Sequence, residues 1–151
     1  MNNTLTTILA NKALMSAIIA WSIAQVIKPP LEYLLHHEWN WHLLLSAGGM
    51  PSSHSALVTG VTVGIGQTMG YNSPLFALAL VTSAIVIYDA TGVRRQAGDQ
   101  ARVLNLMIEE LLTGHPLAEK ELKEVLGHTP REVVAGIALG VAVALALTSW
   151  R

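Results

Sequence analysis

The chain has 151 residues, enough for one domain of ordinary size. Hydrophobic residues make up 52% and charged residues 13%, the latter about half the share of a typical water-soluble domain. A formal net charge of −1 excludes nucleic-acid binding through a basic surface, and the absence of cysteine excludes disulfides, thiolate metal sites and cysteine nucleophiles.

A bilayer core of about 30 Å takes roughly 20 apolar residues per helix. The first apolar stretch, 13–28, carries no charge before Lys28. Met1-Asn2-Asn3 lacks a basic start, and Lys28-Pro29-Pro30 follows where a small-residue cleavage site would stand. The stretch therefore reads as a retained helix and not as a signal peptide. Residues 31–47, LEYLLHHEWNWHLLLSA, set Glu32, His36, His37, Glu38, Asn40 and His42 among leucines and tryptophans. Carrying that set across a bilayer is costly, and tryptophan and tyrosine favour the headgroup region, so the segment reads as interfacial. His36-His37-Glu38 makes a poor chelate, because adjacent residues on a helix point about 100° apart.

GGMPSSHSA, residues 48–56, leads into the second apolar run, 54–71, and the third follows at 74–89. Serines behind a proline suit the start of a helix, where unpaired backbone N–H groups and the helix dipole favour an anion. Glycines recur four apart at Gly60 and Gly64, Gly66 and Gly70, and Gly136 and Gly140. That spacing lets membrane helices approach closely; it predicts a tight bundle and allows a homo-oligomer through glycine-rich faces. Residues 90–131 form the long polar insertion, with Val103, Leu104, Met107, Ile108 and Leu111 at helical spacing. Gly114-His115-Pro116 breaks that helix, 117–126 reads as a second short one, and the last apolar run occupies 132–150.

The resulting expectation is an all-α integral membrane bundle, a single domain over 1–151, with four crossing helices, an interfacial segment and a cytoplasmic helical insertion. If 31–47 stays on one side, the crossings bring Lys28, Ser52 to His54, Asp89 to Arg95 and His128 to Glu132 to one face, and both termini lie opposite. That face also carries Arg102, Lys120, Lys123 and Arg131, against Lys12 and Arg151 on the other. By the positive-inside bias it faces the cytoplasm of a cell inner membrane or its equivalent.

These clusters suit phosphoryl transfer. Arg94 and Arg95 offer planar forks that match phosphate oxygens, and Lys28 a compact positive charge. His54 and His128 titrate near neutral pH and can act as acid, base or nucleophile. Glu132 stands one helical turn after His128, placed to orient its imidazole. No Asp-rich or His-x-x-x-His pattern supports metal-dependent hydrolysis, so neither a metal nor a cofactor is expected.

The same residues resemble the signatures of the type-2 phosphatidic acid phosphatase / vanadium haloperoxidase superfamily, in a divergent branch, from Lys28 to Gly140. Lys28-Pro29 stands where that superfamily has Arg-Pro, and its usual lysine seven residues earlier falls on Trp21. Pro51-Ser52-Ser53-His54 matches Pro-Ser-Gly-His with serine for glycine. GHTPREVVAGIALG, residues 127–140, is similar to the end of the third signature, with Glu132 for aspartate. The arginine of that signature falls on Arg94 or Arg95, more than thirty residues before His128 where the superfamily has about five. The resemblance implies a membrane-embedded, metal-independent lipid phosphate phosphatase. His128 would be the nucleophile forming a phosphohistidine, Glu132 its orienting partner and His54 the proton donor to the leaving group. Lys28, Ser52, Ser53 and Arg94 or Arg95 would cradle the phosphate. Asp89 has no counterpart in the signatures and reads as a supporting salt-bridge partner of the arginines. The substrate would be a membrane lipid bearing a phosphomonoester or diphosphate. The rival reading is a catalytically inactive lipid-phosphate binder or helix-packing scaffold.

Overall fold

The computed structural model describes residues 3–37, 39–46, 48–92, 98, 100–101, 103–108 and 128–149. Among them every regular element is helical: α1, Thr4–Leu9; α2, Lys12–His36; a 3₁₀ turn, Trp41–Leu44; α3, Ser53–Met69; α4, Pro74–Thr91; and α5, Pro130–Ser149. Residues 103–108 of the polar insertion are helical too. The chain is thus the all-α membrane bundle its apolar runs predict.

Side-chain caps set several of the starts. Asn11 accepts from Leu14 N at 3.1 Å ahead of α2, Ser52 from Ser55 N at 3.3 Å ahead of α3, and Ser73 from Phe76 N at 3.2 Å ahead of α4. Helix α2 departs from expectation by running through Pro29 and Pro30 to His36, where 13–28 was expected to end and an interfacial segment over 31–47 to begin. Two prolines remove the N–H donors of residues 29 and 30. A membrane helix tolerates this where neighbouring elements hold it, and Lys28 and Pro29 are both buried here. His37 then closes α2 in the left-handed region at φ 59°, which leaves a short connection with Trp41–Leu44 at its centre.

The core is built from α2, α3 and α5, with α4 packed on α3. Helix α2 turns small residues inward at helical spacing, among them Ala13, Ala17, Ala20 and Ala24. Ala20, Ala24 and Ala56 are fully buried and pack with Leu139 and Val143. Two of the three glycine pairs serve this contact. A Cβ on Gly60 would stand 2.8 Å from Ser16 O, and one on Gly64 2.7 Å from Ala13 Cα, so α3 lies directly on the α2 backbone. Gly140 meets Ala56 O at 2.6 Å in the same sense, and Gly136 abuts the Ser52 carbonyl, so α5 lies directly on α3. Gly66 and Gly70 do otherwise: Gly66 faces the Tyr71 ring, and Gly70 ends α3 at φ 94°. Between α3 and α4 the adhesion is polar, through Thr62 Oγ1 and Ser83 Oγ at 2.7 Å.

Among the described residues three helices are long and apolar enough to cross a membrane: Lys12–His36, Pro74–Thr91 and Pro130–Ser149. The fourth expected crossing, α3, has 17 residues, a rise of about 26 Å against a hydrocarbon core of about 30 Å. It is also the helix in contact with α2, α4 and α5. Its Ser53, Ser55, Thr59 and Thr62 and its Gly60, Gly64 and Gly66 are buried against protein, and the helix has less need of the apolar surface that lipid demands.

Candidate active site

Four hydrogen bonds draw the start of α3, the start of α5 and the ends of α2 and α4 together at one end of the bundle. Ser52 N donates to Glu132 O at 2.9 Å. His128 N donates to Ala90 O, in the last turn of α4, at 3.0 Å. Lys28 Nζ crosses from α2 to Ser46 O at 2.9 Å and Ser53 Oγ at 3.4 Å. The chain passes the lysine stem at Gly49, whose φ of 88° favours glycine.

Lys28 is 1% exposed. A buried ammonium needs compensation, and the Ser46 and Ser53 oxygens supply hydrogen-bond acceptors for it. Ser52 and Ser53 are fully buried beside it. Ser52 Oγ takes bonds from both Ser55 N and Ser55 Oγ, the latter at 3.0 Å. The first turn of α3 is thus fixed next to a positive charge.

His128 is 5% exposed and its Nδ1 stands 2.8 Å from Glu132 Oε2. With Nδ1–H given to the carboxylate, Nε2 retains the ring's lone pair. The same Oε2 accepts from Thr129 N at 3.2 Å, and Glu132 N donates back to Thr129 Oγ1 at 3.4 Å. Thr129 and Glu132 therefore form a reciprocal capping box on α5, with Pro130 at its first position. One carboxylate caps the helix and orients the imidazole. His54, half-buried in the first turn of α3, places its ring centroid 6.1 Å from that of His128 at 60° between planes.

Of the residues expected at the site, Lys28, Ser52, Ser53, His54, His128 and Glu132 thus come together. Asp89 lies in the last turn of α4, next to the Ala90 that binds His128 N. Arg94 and Arg95 lie outside the described residues, as does Glu38. Trp21, where the superfamily has a lysine, is 40% exposed. Sequence reasoning missed three participants. Thr129 had a legible signal, Thr-x-x-Glu ahead of an apolar run. The Ser46 and Ala90 carbonyls had none, since any residue supplies one. Among the described residues no three His, Asp or Glu side chains gather as a metal site.

Comparison with known proteins fits this picture. The chain is 42% identical over 151 residues, 93% of its own length and 96% of the relative's, to a Bacillus subtilis (strain 168) protein described as "Uncharacterized membrane protein YuiD". No solved structure matches it. The family described as "Divergent PAP2 family" matches residues 9–143, which takes in every helix from α2 to α4, most of α5 and all the residues gathered at this end, and the chain is a membrane protein belonging to that family.

Proposed function

We propose that the protein is a metal-independent phosphatase acting on a lipid phosphomonoester or diphosphate through a phosphohistidine. The observation that carries this reading is the pairing of buried His128 with half-buried Glu132, with His54 beside it and the Lys28–Ser53 contact at the same helix ends. His128 Nε2 attacks phosphorus while the bond to the lipid oxygen breaks, and His54, protonated, gives its proton to the departing alkoxide. Glu132 stabilises the positive charge that His128 acquires. Neutral His54 then takes a proton from water as the water oxygen attacks phosphorus, the P–N bond breaks, and phosphate leaves with both imidazoles restored. Lys28, the N–H groups at the head of α3, and Arg94 or Arg95 balance the charge on the equatorial oxygens, and Asp89 supports the arginines. A site at the ends of membrane helices suits a substrate whose tail stays in the bilayer. With the site facing the cytoplasm, phosphatidylglycerol phosphate and phosphatidic acid are the accessible chemistries.

Purified protein in detergent or nanodiscs is expected to release phosphate from a lipid phosphate in the presence of a chelator and to be inhibited by vanadate. His128→Ala and His54→Ala are each expected to lower turnover by at least about 10²-fold. Turnover equal to the parent in both variants rejects catalysis here. Saturable lipid-phosphate binding without turnover assigns the chain to the inactive, ligand-binding alternative.

A further inference from the structure

Gln25 is 8% exposed, and its Oε1 is the buried side-chain polar atom that finds no hydrogen-bond partner among the described residues. Buried acceptors are almost always satisfied, so an orphan calls for an explanation. Its place on α2 supplies one. Gln25 precedes Lys28 by three residues, which puts the two on one side of the helix. Because α2 runs toward the site end, Gln25 lies about 4.5 Å deeper in the bundle. Its main-chain carbonyl has also lost the usual helical donor, since the residue four positions on is Pro29. The spot therefore calls for a hydrogen-bond donor, and a phosphate oxygen is not one. A lipid phosphate seated at the Lys28 level with its tail directed toward the bilayer centre would carry its phosphoester carbons in this deeper direction.

We propose that Gln25 contacts the substrate, accepting a hydrogen bond from a hydroxyl on the carbon next to the phosphoester, and so selects lipid phosphates that carry that donor over those that lack it. The inference rests on the lipid-phosphate reading of the site. It is tested with two matched lipids, a 1-acyl-glycerol 3-phosphate and the 1-acyl-propanediol 3-phosphate that lacks the hydroxyl. Affinities are measured in nanodiscs on the full chain carrying His128→Ala, with and without Gln25→Met, and turnover on the chain with His128 intact. The hydroxyl lipid is expected to bind about tenfold tighter. Gln25→Met is expected to abolish that ratio by weakening the hydroxyl lipid alone. Its lipid-free melting temperature is expected to be no lower than the parent's, because an apolar side chain of similar size removes the orphan. Equal affinities with Gln25 in place overturn the proposal, as they would if a buried water were the partner. A ratio that survives Gln25→Met also overturns it. Absence of turnover with the ratio intact rejects hydrolysis and leaves the Gln25 contact standing, whereas absence of binding by either lipid rejects both.

Discussion

Glu132 carries two duties that one substitution separates. Its Oε2 receives Thr129 N and faces His128 Nδ1 at the same time. Glutamine at this position of a capping box still accepts from the backbone, but it lacks the charge that stabilises a protonated imidazole. Glu132→Gln is therefore expected to melt within about 0.5 kcal/mol of the parent while phosphate release falls by about 10²-fold or more. Glu132→Ala is expected to lose activity and also about 1–2 kcal/mol of stability, the usual consequence of an emptied cap. Equal activity in Glu132→Gln and the parent would make the carboxylate a cap alone. At Lys28 structure and ligand binding are lost together. Lys28→Met removes the donor to Ser46 O and Ser53 Oγ, so it is expected to lower stability by about 1–3 kcal/mol and also to lose lipid-phosphate affinity, read by calorimetry in nanodiscs below the variant's melting temperature. These residues differ in how visible they are beforehand. His54, His128 and Glu132 stand out by chemistry and spacing. Gln25 looks like any polar residue in a membrane helix until its burial beside Lys28 is known.

The helices meet backbone to backbone, and that decides which glycines matter. At Gly60 and Gly64 an added methyl runs into main-chain atoms of α2 at 2.8 and 2.7 Å, which no rotamer change relieves. At Gly66 the obstacle is the Tyr71 ring, the flexible side chain of an exposed residue. Gly60→Ala is accordingly expected to destabilise by about 1–3 kcal/mol, and Gly66→Ala by less than about 1 kcal/mol, since the helical preference for alanine offsets the ring's displacement. Thermal unfolding in detergent measures both. Gly136→Ala should also reach the chemistry, because the atom it displaces is the carbonyl of Ser52, whose N–H holds Glu132 O. Phosphate release is expected to fall together with stability there. The four-residue glycine spacing pointed to close packing but named no helix pair; the α2–α3 and α3–α5 contacts emerge only in the structure. It did not distinguish the third pair, where Gly70 is present for its φ of 94°, because spacing carries no information on conformation.

At the scale of the whole molecule, the site lies at the end where α2 finishes and α3 and α5 begin, and the turn at Asn72 lies at the other end of α3. A cysteine-free chain makes this orientation directly measurable. Asn40 and Asn72 are both exposed. The proposed cytoplasmic orientation of the site predicts that Asn72→Cys reacts with a membrane-impermeant maleimide in intact cells. Asn40→Cys is expected to react only after permeabilisation. The opposite labelling pattern would turn the site outward and favour substrates presented on the far leaflet.

Composition and the placement of apolar runs were sufficient for the class of protein, an all-α membrane bundle, because lipid demands long uncharged helices. They did not determine that α2 would continue through Pro29 and Pro30. A broken hydrogen-bond ladder survives or fails according to the neighbours that hold it, and here Lys28 and Pro29 are buried. Nor did they reveal that the shortest and most polar of the four helices would take the centre, since α3 is excused from lipid contact only by the helices around it. The four-residue spacing already set Glu132 beside His128, 2.8 Å away, whereas the 6.1 Å between the two histidine rings belongs to tertiary structure alone. It arises where glycines let three backbones close, and a contact between residues so far apart along a chain leaves no local pattern to read.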